Sequence, residues 1–206
     1  MTWIERLSEG FQTTDDVDVD VTRFLTRHDC AETADHVAAV AAEAAKLARR
    51  FFIDEEQATL AGWLHDISAV IPNGQRIQAA RELNIDVLPE EEQFPMIIHQ
   101  KLSVPIAHEL FGVPDPTVLS AIECHTTLKA NPSTLDMIVF VADKVAWDRP
   151  GTPPYLNELV HALDKSLDAA ALSYVDYLWR RRGELRVIHP WLVDARVWLV
   201  ARLAEA

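Results

Sequence analysis

Histidine and aspartate interrupt the apolar stripes of this 206-residue sequence at well-separated places: His36, the doublet His65-Asp66, His99, His125 and Asp143. Imidazole and carboxylate are the ligands that suit iron, manganese or zinc. The adjacent His-Asp pair offers two ligands from one turn of chain, and its carboxylate can bridge two ions. A carboxylate inside an apolar stripe is costly unless it is paired or holds a metal. Each residue taken alone also has a plain structural reading. A stripe histidine is commonly a hydrogen-bonded core residue, and Asp143 can pair with Lys144 or with an arginine of a neighbouring helix. The set as a whole leaves two readings open, a metal site or a group of satisfied core residues.

The elements that must position these residues read as helices. Residues 31–52 carry His36, Val40, Ala44, Leu47 and Phe51 on one face, at helical spacing. A second helix is expected from Asp54, with Gln57 in capping register, to about Val70, where Pro72, Asn73 and Gly74 break it. Further helices are expected over about 74–84, 97–111, 116–127, 134–147, 155–182 (with a possible split near Asp164) and 190–205. Pro89 and Pro95 bound an acidic connector, and Asp115-Pro116 opens a helix as N-cap and first residue. Residues 1–12 read as a short separate helix. The tract Thr13–Asp20 reads as a linker or as the acidic first turn of the next helix. No convincing strand alternation is present. The expectation is an all-α chain of about eight to ten helices, with residues 1–20 as an N-terminal extension and 21–206 as the principal domain.

Composition narrows the function. Lys+Arg is 19 and Asp+Glu is 32, a net charge of −13. That balance argues against nucleic acid and against anionic membranes as partners, because both are held mainly by basic side chains. A small anionic substrate remains compatible if metal or a local basic cluster supplies positive charge. Cys30 and Cys124 make neither a disulfide framework nor a zinc knuckle, and no run reaches the length of a membrane span. With no secretory signal pattern in the opening residues, the expected setting is reducing and cytoplasmic. A phosphate-cradling glycine loop of the P-loop type is absent from the sequence. His28-Asp29 is a second doublet, but it precedes the helix of His36 and reads as a loop or surface pair. His108, His161 and His189 read as structural or surface residues, and Cys124 as a small apolar one.

The ordered set His36, His65-Asp66, His99, His125, Asp143 resembles the ligand set of the HD-domain metal-dependent phosphohydrolases. More closely, the chain is similar to their YqeK-type branch, the symmetrical diadenosine tetraphosphate hydrolases. The segments that carry the resemblance are ETADHVAAVAAEAAKLA, LAGWLHDIS, IIHQKLSVPIAHELFGV, AIECHTTLKA, LDMIVFVADKVAWDRPG and the late VIHPW, spread over about residues 22–195. CHTT followed by VADK and then Arg149 is the most specific part. Three positions depart from the family pattern. Ala69 stands where a lysine commonly follows the doublet, Gln100 stands where a glycine often follows the third histidine, and VAWDRPG replaces the usual proline-arginine loop.

The resemblance implies an HD-type helical bundle with two divalent transition-metal ions, iron first and manganese second. One ion would be held by His36, His65, Asp66 and Asp143, the other by Asp66 as bridge with His99 and His125. Paired ions can generate a hydroxide nucleophile at neutral pH and polarise the phosphoryl group it attacks. Thr126 and Thr127 are candidates for phosphate oxygens, and Lys101, Lys129, Lys144 and Arg149 for the remaining phosphate charge. Asp66, Thr126, Lys144 and Arg149 are the residues assigned to catalysis. Trp63 and Trp147 lie near the site segments and are candidates to face a nucleobase. The implied reaction is hydrolysis of a dinucleoside tetraphosphate to two nucleoside diphosphates. Two alternatives stand beside it: an HD-type nucleotidase acting on monophosphates or another small phosphoester, and a catalytically silent nucleotide-binding module. The C-terminal tail, amphipathic and rich in Trp and Leu, is compatible with a homodimer.

Overall fold

Helix α3 (Ala31–Phe51) is the central strut, because its stripe of Val37, Val40, Ala44, Leu47 and Ala48 is wholly or almost wholly buried. It ends where Phe52 turns into the left-handed region at φ 57° and donates its N–H to Ala48 O. The computed structural model describes residues 3–14, 16–147 and 151–205. Among them the chain is all-α, with no strand. Before α3 come α1 (Trp3–Ser8) and α2 (Val17–Arg27). Asp18 and Asp20 fall in the first turn of α2, so the acidic tract is divided between connector and helix. Leu7 of α1 and Phe11 join the core, and Phe11 meets Phe24 edge-on at 5.2 Å between ring centres.

Helix α4 (Glu55–Leu64) starts where Asp54 accepts the Gln57 N–H, as its capping register requires. It packs along α3 more extensively than any other pair of elements. Gly62 makes this possible. A Cβ built there would lie 2.6 Å from Ala41 Cα and 2.9 Å from Ala41 N, inside the backbone of α3.

The helix expected to continue to Val70 instead stops at Leu64. The chain turns through His65 and Asp66 and resumes as a 3-10 segment, Ile67–Val70. The physical reason lies in the doublet. Successive side chains on an α-helix diverge by ~100°, and the break at Asp66 brings two adjacent side chains to one centre.

A second 3-10 turn, Asn73–Gln75, leads into α5 (Arg76–Glu82). A short helix, α6 (Pro89–Gln93), lies inside the stretch expected to be only a connector, with Pro89 at its first turn. Helices α7 (His99–Glu109), α8 (Pro116–Cys124) and α9 (Thr134–Val145) follow, each slightly shorter than its periodicity predicts. Asp115 caps α8 by accepting the Thr117 N–H at 2.8 Å, with Pro116 next. Residues 155–182 are indeed divided, into α10 (Leu156–Leu163) and α11 (Leu167–Arg180), where Ser166 caps the second by accepting the Ala169 N–H. Helix α12 (Pro190–Ala204) closes the chain, capped by His189 Nδ1 accepting the Trp191 N–H. Helices α3, α4, α8 and α9 pack against one another, with α7 against α8, so all the candidate ligands arise from one bundle.

Candidate metal centre

His36 projects from α3, His65-Asp66 from the break after α4, His99 from the start of α7, His125 from the C-cap of α8 and Asp143 from α9. The fold brings all of them together. His36 Nε2 lies 3.1 Å from Asp143 Oδ1, and His65 Nε2 lies 3.8 Å from the same oxygen. Asp66 Oδ2 is 3.7 Å from His65 Nε2. Asp66 Oδ1 is 3.0 Å from His99 Nε2 and 3.3 Å from His125 Nε2. The imidazoles form a chain, with ring centres 5.3 Å apart for His36–His65, 4.7 Å for His65–His125 and 4.9 Å for His99–His125.

The protonation pattern follows from the backbone. His65 Nδ1 donates to Gly62 O at 2.7 Å, His99 Nδ1 to Met96 O at 2.5 Å and His125 Nδ1 to Ile122 O at 2.8 Å. Each ring therefore carries its proton on the outward nitrogen and presents an Nε2 lone pair inward, the arrangement of a metal-ligating histidine. The inward atoms are acceptors facing acceptors. His99 Nε2 and His125 Nε2 are 2.9 Å apart, and His65 Nε2 and Asp66 Oδ1 are buried with no hydrogen-bond donor among the described residues.

Burial lowers the pKa of His65 and carries that of His125 down to about 4, so these rings are neutral near pH 7. Burial alone would raise the Asp143 carboxyl. The adjoining Lys144 ammonium and the His36 contact more than offset it, and the group sits well below the ordinary carboxylate range. A divalent cation set among these lone pairs satisfies them together, so the donor set fits a metal. His36, His65 and Asp143 offer ligand atoms within 4.8 Å of one another, and so do His65, Asp66 and His125.

The basic and hydroxyl residues sort differently. Thr126 Oγ1 lies 3.2 Å from His99 Nε2, directly beside the cluster. Lys144 Nζ donates to Asp143 Oδ2 and, at 3.1 Å, to His125 O, so its ammonium is tied to the ligands themselves. Thr127 Oγ1 donates to Leu128 O at 2.9 Å. Gln100, the departure from the family glycine, accepts the Thr126 and Thr127 N–H groups on its Oε1 at 3.1 and 3.3 Å. It thereby holds the turn that follows α8. Arg149 lies outside the described residues.

Lys101 and Lys129, named as phosphate candidates, are engaged elsewhere. Lys101 Nζ donates to Glu91 at 2.9 Å and to Asp86 O at 3.0 Å, and Lys129 Nζ to Ser120 Oγ at 2.7 Å. Trp63 packs partly buried against the core, and Trp147 meets Tyr155 edge-on at 6.1 Å. His28 reaches Leu7 O at 3.3 Å, His108 and His161 are exposed, and Cys124 is buried among apolar residues.

Two arginines were not singled out from the sequence. Arg76 is tethered to Ile71 O and Met96 O at 3.1 and 3.2 Å and stands in the field of Asp66. Arg186 lines a cavity of about 210 Å³ that shares Thr126 and Lys144 with the metal centre. Both sit in polar or charged stretches where one more arginine carries no signal. Neither this cavity nor a larger surface cleft of about 550 Å³, between Ile85, Lys101, Pro105 and Trp191, is lined by a candidate metal ligand, but only the smaller one is lined by Thr126 and Lys144, which touch those ligands. Proximity to the ligands, rather than volume, identifies the smaller cavity as the relevant one.

Comparison with known proteins places the chain in a family. Residues 33–148 match the HD domain family. An uncharacterised protein encoded in the pepC 5′ region of Lactococcus lactis subsp. cremoris is 49% identical over 145 residues, covering 70% of this chain and 73% of that one. The symmetrical bis(5′-nucleosyl)-tetraphosphatase of Bacillus subtilis is 27% identical over 142 residues, covering 68% of this chain and 74% of that one. The crystal structure of a protein from Clostridium acetobutylicum described as a predicted HD superfamily hydrolase involved in NAD metabolism superposes with a TM-score of 0.78 at 26% identity. It covers 88% of this chain and 96% of that one. The matched span contains every candidate ligand, from His36 to Asp143, and on these grounds the chain belongs to the HD-domain family of hydrolases.

Proposed function

We propose that this chain hydrolyses dinucleoside tetraphosphates symmetrically, taking diadenosine tetraphosphate to two ADP, with two divalent transition-metal ions. Iron is the first assignment and manganese the second. The observation that carries the reading is the placement of Asp66, whose two oxygens face different histidines. Oδ2 faces His65, which also adjoins Asp143 and, through it, His36; Oδ1 faces His99 and His125. One carboxylate between two groups of ligands is the geometry of a bridge. The named relative from Bacillus subtilis supports the substrate assignment.

Divalent ions held there supply Lewis-acid polarisation of a phosphoryl oxygen and acidify water at neutral pH. The chain's own residues do the remainder. His36, His65, Asp66 and Asp143 would hold one ion, and Asp66, His99 and His125 the other. The Nδ1 bonds to Gly62, Met96 and Ile122 carbonyls fix ring orientation. Thr126 presents its hydroxyl beside His99, where it can donate to a phosphate oxygen. Lys144 fixes Asp143 and lends positive charge to the substrate side of the cluster. Arg149 is a candidate for the remaining phosphate charge.

Product analysis tests the proposal. Protein loaded anaerobically with iron, or separately with manganese, is incubated with diadenosine tetraphosphate and with AMP, GMP and deoxynucleoside monophosphates. The expected result is ADP as sole product from the dinucleotide. AMP with ATP would show a different cleavage register. Phosphate release from monophosphates alone would establish a nucleotidase. Metal-loaded protein without turnover would leave a binding module.

A further inference from the structure

Three of the clustered imidazoles are oriented by one device. His65, His99 and His125 each donate from Nδ1 to the carbonyl three residues back, that of Gly62, Met96 and Ile122 in turn. Gly62 lies inside α4 and Ile122 inside α8, so helix geometry aims those two carbonyls. Met96 lies in the turn between α6 and α7, outside any helix. Among the described residues no backbone N–H donates to its oxygen. Ile97 and Ile98 are buried beside it and anchor the turn, but buried side chains do not by themselves aim the Met96 carbonyl.

Arg76 supplies the hold that a helix supplies elsewhere. Its Nη1 donates to Met96 O at 3.2 Å, so that one oxygen accepts from Arg76 and from His99 together. Its Nε donates at 3.1 Å to the carbonyl of Ile71, the residue that ends the 3-10 segment following Asp66. A guanidinium carries its donors in one rigid plane, so two bonds from it fix two carbonyls relative to each other. The side chain thus ties the segment of Asp66 to the turn before His99. Most arginines of this acidic chain pair with a carboxylate. Arg76 is hydrogen-bonded to none among the described residues, although it stands in the field of Asp66. It belongs to α5, between the motif segments LAGWLHDIS and IIHQKLSVPIAHELFGV, and is part of neither.

We propose that Arg76 is a positioning residue of the metal centre. Through the Met96 carbonyl it fixes the ring of His99, and with it the hold on the ion assigned to Asp66, His99 and His125. The inference rests on the two-ion reading above. It makes the two subsites unequal, because His65 is aimed from within α4 and owes nothing to Arg76. The charge of Arg76 acts in the opposite sense to its geometry. A cation beside the centre repels a metal ion, so an arginine that mattered only through its charge would weaken metal binding.

The test compares wild type with Arg76→Met, which removes charge and clamp, and Arg76→Lys, which keeps the charge but has a single terminal nitrogen. Arg81→Met, at a surface arginine of the same helix paired with Glu92, is the control. The first readout is the imidazole nitrogen spectrum of the metal-free protein at about pH 8, above the ordinary histidine pKa. Wild type is expected to show His99 locked with its proton on Nδ1, as His65 and His125 are. Both Arg76 variants are expected to show His99 averaging between tautomers while His65 and His125 stay locked. The second readout is manganese titration followed by the electron paramagnetic resonance of free Mn²⁺. Both variants are expected to bind the weaker ion about tenfold less tightly, the lower end of the loss seen for residues that support metal ligands, and the tighter ion unchanged. Arg81→Met is expected to match wild type in both readouts.

Tighter manganese binding by Arg76→Met, or wild-type behaviour of Arg76→Lys, would show that charge rather than geometry matters and overturns the proposal. Equal weakening of both ions with His99 still locked marks a residue that supports only the fold, and overturns it too. Should the variants not fold, the wild-type spectrum decides, since a His99 that averages there has no clamp. A wild type that takes up one ion refutes the two-ion reading, and the metal-free spectra then decide whether Arg76 positions His99.

Discussion

Asp66 is the residue on which the cluster converges. Its two oxygens meet different histidines, and it sits at the break of a helix, where its backbone is at φ −108° and ψ 17°. Asp66→Ala removes the carboxylate proposed as the bridge without removing any buried apolar contact. Metal content per chain is expected to fall, and kcat/KM to drop by more than about a hundredfold, the upper loss associated with residues that merely support metal ligands. Elemental analysis beside turnover checks this, and unchanged metal with unchanged activity would refute the site assignment. The candidate ligands stood out in the sequence because a polar residue in an apolar stripe demands a partner. Arg186 and Gln100 were not legible as site residues, because an exposed arginine and a glutamine are ordinary at the surface of any helix or loop. Only their neighbours give them a role.

At the scale of elements, the decisive contact is between α3 and α4. It holds His36 and His65 with ring centres 5.3 Å apart. Gly62 permits the approach, and Gly62→Ala sets two effects against each other. Alanine favours a helix over glycine by roughly 1 kcal/mol. The added Cβ would stand 2.6 Å from Ala41 Cα, a backbone atom that no rotamer change can move. Overpacking of this kind costs about 1–3 kcal/mol, so net destabilisation is expected. In a chain of this size each kcal/mol lowers Tm by roughly 2–4 °C. Thermal unfolding of the variant checks it, and an unchanged or raised Tm would show that the two helices separate at little cost. Element boundaries were legible where caps are explicit, at Asp54 and Asp115. They were not at Leu64, where periodicity continues across His65-Asp66 but the chain leaves the α-helix and resumes as a 3-10 segment.

At the scale of the whole molecule, a buried carboxylate joins three distant parts of the chain. Glu91 of α6 is fully buried, accepts from Lys101 Nζ of α7 at 2.9 Å and from the Leu88 N–H at 2.8 Å, and meets His189 Nε2 at the cap of α12 at 3.2 Å. Burial would raise its pKa, but the His189 and Leu88 hydrogen bonds and the Lys101 ammonium together hold it below the ordinary value of 4.5. A carboxyl lowered on folding contributes stability that is fully present above its unfolded pKa and is lost as pH falls through the folded value. The urea midpoint is therefore expected to decline as pH drops below about 4.5, and Glu91→Gln to flatten that decline. At neutral pH the same variant is expected to lose about 3–5 kcal/mol, because Lys101 would be left buried without its counter-charge. A variant as stable as the parent, with an unchanged acid profile, would show that the triad contributes nothing to folding.

His36, His65, Asp66, His99, His125 and Asp143 announced themselves in the primary sequence because burial is written in helical periodicity, and a titratable group on a buried stripe is conspicuous. The all-α class followed from the same periodicity and from the scarcity of glycine, at six residues. Direction was a different matter. Lys101, two residues from His99, turns to Glu91 and away from the cluster, while Arg186, far along the chain, comes to its edge. Charge is read from a residue's type, but what that charge faces depends on the packing of α6, α7, α11 and α12, and packing is a property of pairs of elements that no single stretch of sequence contains.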